Sequence, residues 1–150
     1  MIVLFAAACS KGGGGGGAGS PPTQTVALGT TGYVVDVPSG WTVESPMDGF
    51  FELEGGRPHP QIMRSPMKPQ SVDDLVKSRC EGRTVLQKEN LPGGGVLVSC
   101  KGESKMMKGV ITTAFEVEIP YDDKSWSCHL ETDDDPAPAI AICKSIRKKS

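Results

Sequence analysis

A run of six consecutive glycines at residues 12–17 limits which part of this chain can fold. Glycine has no side chain to pack, and it loses more conformational entropy on ordering than any other residue. The surrounding residues 10–25 are rich in Gly, Ser and Pro, a composition typical of tethers. A phosphate-binding loop would need a Gly-Lys-Ser/Thr ending, and none follows Gly17. The sequence therefore predicts a flexible tether over residues 10–25 and a single folded domain over residues 26–150.

The segment in front of the tether is apolar and ends in three alanines and Cys9. It resembles the end of a bacterial lipoprotein signal, where small residues precede the cysteine that receives the lipid. The apolar stretch is short and no Lys or Arg precedes it, so we interpret residues 1–9 as the remnant of a longer signal. The resemblance implies that Cys9 is lipidated and anchors the domain to a membrane of the cell envelope, in the periplasm or outside the cell. A plain secretory signal and a buried N-terminal strand are the alternatives.

The domain contains four further cysteines: Cys80, Cys100, Cys128 and Cys143. An even number of cysteines in a small exported domain favours two disulfides. Three pairings are possible, and we favour Cys80 with Cys100 and Cys128 with Cys143, each joining a helix to a strand nearby in sequence. Structural zinc, the alternative, usually takes closely spaced cysteine pairs, whereas the nearest two here are fifteen positions apart.

Alternating residues identify the clearest strand, at residues 110–119. Phe115 and Val117 share one face with the neighbouring isoleucines, while Glu116 and Glu118 share the other with Thr112. Such alternation predicts one buried face and one face in water. In the next strand, Trp126, Cys128 and Leu130 are expected to point inward, and Ser127, His129 and Glu131 outward.

Two helices are predicted from capping residues and apolar stripes. The first begins at Ser71, with Asp74 three residues on, and carries its stripe as far as Cys80. The second follows Asp133–Asp135 and Pro136, and its stripe consists of Ala139, Ile142, Cys143 and Ile146. Strands, a helix, a meander of strands and a helix predict an α+β fold, with an antiparallel sheet and helices packed on it.

Residues 32–41, GYVVDVPSGW, resemble the opening motif of PsbP-like domains. These domains include photosystem extrinsic subunits, Ran-binding proteins and bacterial lipoproteins of the DcrB and LpqN kind. The resemblance covers about residues 26–148 and implies a sandwich fold that serves as an accessory or binding module, with no catalytic motif. Tyr33, Pro38, Gly40 and Trp41 match the motif, and Trp41 is expected to be buried.

Composition disfavours several classes of function. A net charge of −2 and an aromatic content of 5% do not suit nucleic-acid binding, and no run reaches transmembrane length. The two histidines, His59 in the loop 58–60 and His129 on a strand, accompany no nucleophile motif, so we expect no enzyme, cofactor or metal. The carboxylates that would suit calcium are those of Asp122, Asp123, Asp133, Asp134 and Asp135. The thioethers that would suit a soft metal are those of Met63, Met67, Met106 and Met107.

The sequence thus predicts a lipid-anchored, disulfide-bonded envelope protein that acts by binding, with an envelope protein as a possible partner. The alternative is a small metal-binding or hydrolytic protein that uses His59 or the acidic clusters. The third hypothesis is a lipoprotein with a purely structural role. Convergence of the histidines and aspartates in one cleft would favour the second hypothesis, whereas their dispersal over the surface would favour the first.

Overall fold

A computed structural model describes residues 21–150 of the chain. The predicted signal with Cys9, and residues 10–20 of the predicted tether, lie outside the described residues. The strands of the described part, β1 to β10, are Thr23–Ala27, Tyr33–Pro38, Thr42–Met47, Phe50–Glu54, Gln61–Ser65, Thr84–Asn90, Val96–Glu103, Ile111–Tyr121, Lys124–Thr132 and Arg147–Lys148. The helices are α1, Val72–Arg79, and α2, Ala137–Lys144. Because β1 begins at Thr23, residues 23–25 belong to the folded domain and not to the tether.

The strands form two antiparallel sheets instead of the single sheet expected. Seven of them follow the order β3-β4-β5-β9-β8-β7-β6, and the other three follow the order β1-β2-β10. Strand β2 pairs with β1 and, opposite Val34 and Tyr33, with Arg147 and Lys148 beyond α2, and it does not pair with β3. A pairing of two residues leaves no periodic pattern in a sequence, so alternation alone does not predict it. The overall class, antiparallel sheets with two helices, is the predicted α+β fold.

The main core lies between the large sheet and a layer formed by the small sheet and α2. We call this side of the large sheet the core face; it carries Phe115 and Val117 of β8 and Trp126 and Cys128 of β9. The predicted stripe of α2 packs against it, and Trp126 is fully buried among aromatic rings. The nearest rings to Trp126 have centroids 5.6–5.8 Å away and belong to Tyr33, Tyr121 and Phe51.

The opposite side of the large sheet, which we call the α1 face, is also covered. Ser71 caps α1 as predicted, because its hydroxyl accepts a hydrogen bond from the Asp74 N–H. Leu75 of α1 packs with Val96 and Val98 of β7 in a second, smaller apolar cluster. Helix α1 therefore lies against β6, β7 and β8, and this part of the sheet is enclosed on both sides.

This enclosure contradicts the expectation that the polar residues of β8 and β9 face water. Glu116 is only 2% exposed and Glu118 only 5%, and other buried polar residues on these strands are Thr112, Ser125 and Ser127. The prediction was wrong because alternation reports which residues share a face, but not whether another element covers that face. Here α1 and the segment that leads into it supply partners for the buried polar groups.

Trp41 is the second correction. It is half-buried and packs against Gly55 and Gly56, where a Cβ atom would come within 2.4 Å and 2.8 Å of the indole ring. It therefore lies at the edge of the main core and is not a central core residue. Any side chain larger than that of glycine at positions 55 and 56 would clash with its ring.

The structure joins Cys80 to Cys100 and Cys128 to Cys143, the pairs preferred from the sequence. The Cα atoms are 5.7 Å and 5.6 Å apart, within the usual range for disulfides. The first bond links the end of α1 to β7 on the α1 face, and the second links β9 to α2 on the core face. In the described part of the chain, no helix has the length and apolar character needed to cross a membrane.

Candidate functional site

The most unusual chemical feature of the described residues is the pair of buried glutamates on the α1 face. Glu116 forms an ion pair with Arg79, the last residue of α1, and accepts a hydrogen bond from the Ser127 hydroxyl at 2.8 Å. Glu118 accepts from the Gln70 backbone N–H at 2.5 Å and from the Gln70 side-chain amide at 3.2 Å. Each buried carboxylate therefore has a specific partner from the segment that covers the sheet.

Burial is the main influence on the ionisation of Glu118. It raises the pKa of this carboxyl above the usual value for glutamate. The neighbouring Glu116 acts in the same direction, while the hydrogen bonds from Gln70 and the charge of Arg79 oppose the shift. Burial and the neighbouring Glu116 carboxylate thus leave Glu118 easier to protonate than an exposed glutamate.

A second ion pair on the α1 face joins Arg83, which follows α1, to Glu131 of β9. The Arg83 side chain is 3% exposed, and its Nη2 atom donates to a Glu131 carboxylate oxygen at 2.9 Å. Thr112 donates to the same oxygen at 2.6 Å. Burial alone would raise the pKa of Glu131, but hydrogen bonds from Thr112, Ser104 and Arg83 outweigh it and lower the pKa. Gly102 makes room for Arg83, because a Cβ there would lie 2.7 Å from the arginine Cγ.

His129 lies between these two ion pairs. It is the cross-strand neighbour of Glu116 and lines a pocket of about 110 Å³ together with Arg79 and Glu131. Its Nδ1 atom is buried and has no hydrogen-bond partner within the protein. Burial lowers the pKa of His129, and the charge of Arg79 adds to that effect while Glu116 opposes it. Burial therefore favours the neutral form of the His129 imidazole.

A second cleft, of about 230 Å³, opens beside this pocket. Arg57 and His59 form one side, and Asp133 and Asp134 form the other. Glu131 contributes to both the cleft and the pocket beneath α1. The structure thus brings His59 and one acidic cluster together, and places His129 next to them but not among them.

The remaining candidates are dispersed. Asp122 and Asp123 form the tight turn between β8 and β9, where Asp122 has a φ of 51°. Met63 lies on β5, whereas Met106 and Met107 follow β7, so β8 and β9 separate them. Residues 21–150 contain no group of three or more His, Cys, Asp or Glu side chains placed to hold a metal ion.

The hydrogen bonds around Ser127 do not form a nucleophilic triad. Ser127, His129 and Glu116 lie side by side, but the serine hydroxyl donates to the carboxylate and not to the imidazole. A nucleophilic triad requires the base to accept the serine proton and the acid to orient the base. The two ion pairs instead neutralise buried charge, and the Arg79–Glu116 pair holds the end of α1 on the sheet.

Sequence reasoning missed Arg79, Gln70 and the burial of both glutamates. The only signal was the apolar stripe of α1, which needs an apolar surface to cover. Val96, Val98 and Cys100 of β7 share a face and supply that surface. Their register places Glu118 and Glu116 opposite Val96 and Val98, so a helix that lies on β7 reaches the glutamates as well.

No family model and no curated protein matches this sequence. Among solved structures, the solution structure of cyanobacterial PsbP (CyanoP) from Synechocystis sp. PCC 6803 superposes with a TM-score of 0.54. The alignment covers 91% of this chain and 98% of the cyanobacterial protein, at 13% identity. The chain has a PsbP-like α+β fold. A crystal structure from Bacteroides thetaiotaomicron VPI-5482 gives a TM-score of 0.49 at 9% identity, with 79% of this chain and 46% of that chain aligned.

Proposed function

We propose that this protein is a membrane-anchored envelope lipoprotein whose PsbP-like domain acts as a non-catalytic binding or accessory module. In this proposal Cys9 carries the lipid and residues 10–20 connect it to the domain. The observation that carries the proposal is the pair of disulfides in a domain that follows the signal-like segment and the predicted tether. Disulfides persist in oxidising compartments and are rare where thiols are kept reduced, so they support an exported location.

The proposed contact surface for a partner is the cleft between the loop 58–60 and the start of α2. Arg57 and His59 line one wall of the cleft, while Asp133 and Asp134 are exposed on the other. A cleft with a cation on one side and two carboxylates on the other suits a polar segment of another envelope protein. Functional contacts also concentrate on exposed loops held by a rigid scaffold, and β5 and β9 provide that scaffold here.

Site-directed photo-crosslinking in intact envelopes tests this proposal. A photoreactive residue at position 59 is expected to crosslink to one discrete partner. The same residue at Lys124, which is exposed in the turn at the opposite end of β9, is expected not to. Equal crosslinking at both positions, or none at position 59 above background, would contradict a partner site in the cleft.

A second candidate function is metal binding, or metal-assisted hydrolysis, in the same cleft. The observation in its favour is that His59 shares the cleft with Asp133 and Asp134. Calorimetric titration with calcium and with zinc tests it directly. A saturable signal that Asp133→Asn/Asp134→Asn abolishes would favour this candidate over the binding module. A signal that survives the double substitution, or none, would eliminate the cleft as a metal site.

A further inference from the structure

Large apolar side chains are exposed mainly at one end of the domain. Two of these, Met106 and Met107, lie in the connection between β7 and β8, residues 104–110, which we call the tip. Met106 is 89% exposed and Met107 53%. The other three at this end are Ile111, the first residue of β8, and Val85 and Leu86 of the edge strand β6. Met47 and Met67, also exposed, lie at the far end of the sheet.

The strand register defines the two ends. Thr113, just beyond the tip, pairs with Thr132 at the end of β9. Met67, in contrast, accepts a hydrogen bond from Ser125 at the start of β9. The two sets of exposed apolar residues are therefore separated by the length of β9, roughly 25 Å for a strand of nine residues.

Lysines flank the apolar residues of the tip. Lys105 and Lys108 bracket Met106 and Met107 in sequence, and Lys101 lies nearby on β7; all three lysines are exposed. Exposed apolar side chains bordered by lysines are typical of segments that lie on anionic lipid surfaces. In such segments the apolar side chains enter the headgroup region, and the ammonium groups of the lysines bind lipid phosphates.

Several backbone polar groups of the tip form hydrogen bonds within it. The Ser104 N–H donates to the Val110 carbonyl at 2.7 Å, and the Ser104 hydroxyl accepts from the N–H groups of Met106 and Met107, each at 3.1 Å. The Val110 N–H donates to the Met107 carbonyl at 3.2 Å. A backbone segment with internal hydrogen bonds enters a lipid interface at a lower cost than one whose N–H groups need water.

The described chain also begins at this end of the domain. Pro21 and Thr23 line a groove together with Asp135 and Ala137 at the start of α2. Asp135 also lines the depression that contains Ile111. In the proposed function the lipid is on Cys9, twelve positions before Pro21, and a chain of that length spans at most about 40 Å, so the anchor keeps this end of the domain near the bilayer.

Acidic residues at the same end determine which side of it faces the lipid. Asp133 and Asp134 follow β9 and repel an anionic surface, whereas the tip lies on the β7 side of β8. Glu103, next to the tip, accepts a hydrogen bond from the Gly109 N–H at 2.7 Å, which directs its carboxylate into the turn. The edge formed by β6, β7 and the tip is therefore the side suited to contact.

We propose that the tip is a second membrane contact, in which Met106 and Met107 insert between the headgroups of an anionic phospholipid bilayer while Lys105 and Lys108 bind lipid phosphates. The inference rests on the proposed function, because the anchor at Cys9 brings the tip to the bilayer. Together the two contacts fix the orientation of the domain on the bilayer.

Fluorescence of the full chain carrying Cys9→Ala tests the tip without the anchor. In this background the four domain cysteines are paired, so Met106→Cys provides a single thiol for an environment-sensitive fluorophore. Vesicles of phosphatidylcholine with phosphatidylglycerol are expected to shift its emission to shorter wavelength, and pure phosphatidylcholine to shift it much less. The same label at Met47→Cys is the matched control. Equal shifts at positions 106 and 47, or no shift at 106, would overturn the proposal.

Partitioning onto the same anionic vesicles provides a second measurement. The substitutions Met106→Asp/Met107→Asp are expected to lower the partition coefficient about tenfold, and Met47→Asp to leave it within about twofold. An unchanged coefficient for the tip variant would overturn the proposal and would leave the exposed tip as a surface for a protein partner. The mass of the mature N-terminus tests lipidation of Cys9 separately, so failure of the anchor and failure of the tip are distinguishable.

Discussion

Strands β7 and β8 of the large sheet are buried on both faces, but by different means. The core face is a continuous apolar cluster around Trp126, closed by α2 and the small sheet. The α1 face has an apolar half under α1 and a polar half in which ion pairs and hydrogen bonds hold Glu116 and Glu118. The comparison shows that similar alternation can accompany two kinds of burial. Apolar packing supplies most of the stability on one face, and paired charges position a helix on the other.

The largest expected effect on stability is at the centre of the core face. Trp126→Ala removes a fully buried ring and is expected to lower the free energy of unfolding by about 3–5 kcal/mol. Trp126→Phe should be much milder, because the indole N–H has no hydrogen-bond partner to lose. Trp41→Ala, at the half-buried second tryptophan, is the control. Urea denaturation that gave equal losses for Trp126→Ala and Trp41→Ala would show that the core face has no such centre.

The two disulfides provide a direct comparison of the faces. Their sequence separations, 20 and 15 residues, predict a similar effect on the unfolded chain, about 3 kcal/mol each. Cys128→Ala/Cys143→Ala should nevertheless lower the melting temperature more than Cys80→Ala/Cys100→Ala, because it also leaves a cavity in the larger core. Calorimetry of the two variants measures the difference. A greater loss for the pair on the α1 face would reverse this ranking.

The next largest loss of stability is expected at the ion pair between Arg79 and Glu116. Arg79→Ala leaves the Glu116 carboxylate buried without its charged partner and is expected to lower the free energy of unfolding by about 1–3 kcal/mol. Adding Glu116→Gln should recover part of this loss, because the buried group is then neutral. Lys77→Ala, which removes an exposed pair with Asp74, should change the same quantity by less than about 0.5 kcal/mol. An Arg79→Ala variant as stable as Lys77→Ala would mean that Glu116 does not need the pair.

The smallest expected effect is a pH dependence that belongs to the α1 face. The pKa of His129 is lowered on folding, so its contribution to stability is present above about pH 6.5, the usual histidine value, and is lost as pH falls through the lower folded pKa. The raised pKa of Glu118 acts in the opposite sense: its contribution is present below the usual glutamate value and is lost as pH rises through the folded pKa.

Stability measured between pH 7 and pH 5 separates these contributions. His129→Asn is expected to reduce the loss of stability on acidification, while His59→Asn controls for removal of an exposed histidine. Protonation of Glu118 is expected to add stability as pH falls, and Glu118→Gln removes this gain. The variant should therefore lose more stability than the wild type between pH 7 and pH 5. An identical pH profile for His129→Asn and the wild type would show that the imidazole beneath α1 does not titrate on unfolding.

The elements of the core face were the most predictable from the sequence. The stripe of α2 and the inward residues Phe115, Val117, Trp126 and Cys128 follow from periodicity. Apolar side chains at regular spacing share one face of their element, and that face packs into the core. The cap at Ser71 was predictable for a similar local reason. The PsbP-like architecture was inferred from the motif at residues 32–41, and the structural comparison supports it.

The α1 face could not be predicted in the same way, because its charge pairing is long-range. Gln70 and Glu118 are separated by 48 positions, and Arg83 is equally far from Glu131. No local pattern connects such residues. The cleft at His59 depends in addition on β5 pairing with β9, a neighbour relation that skips three strands in sequence order.

One measurement tests the account of an exported, anchored and cross-linked domain most directly: the intact mass of the protein extracted from membranes, with thiols alkylated before and after reduction. The expected result is a mature chain that begins at an acylated Cys9, takes up no alkyl groups before reduction and takes up four afterwards. An unmodified Cys9 together with four thiols alkylated without reduction would contradict it.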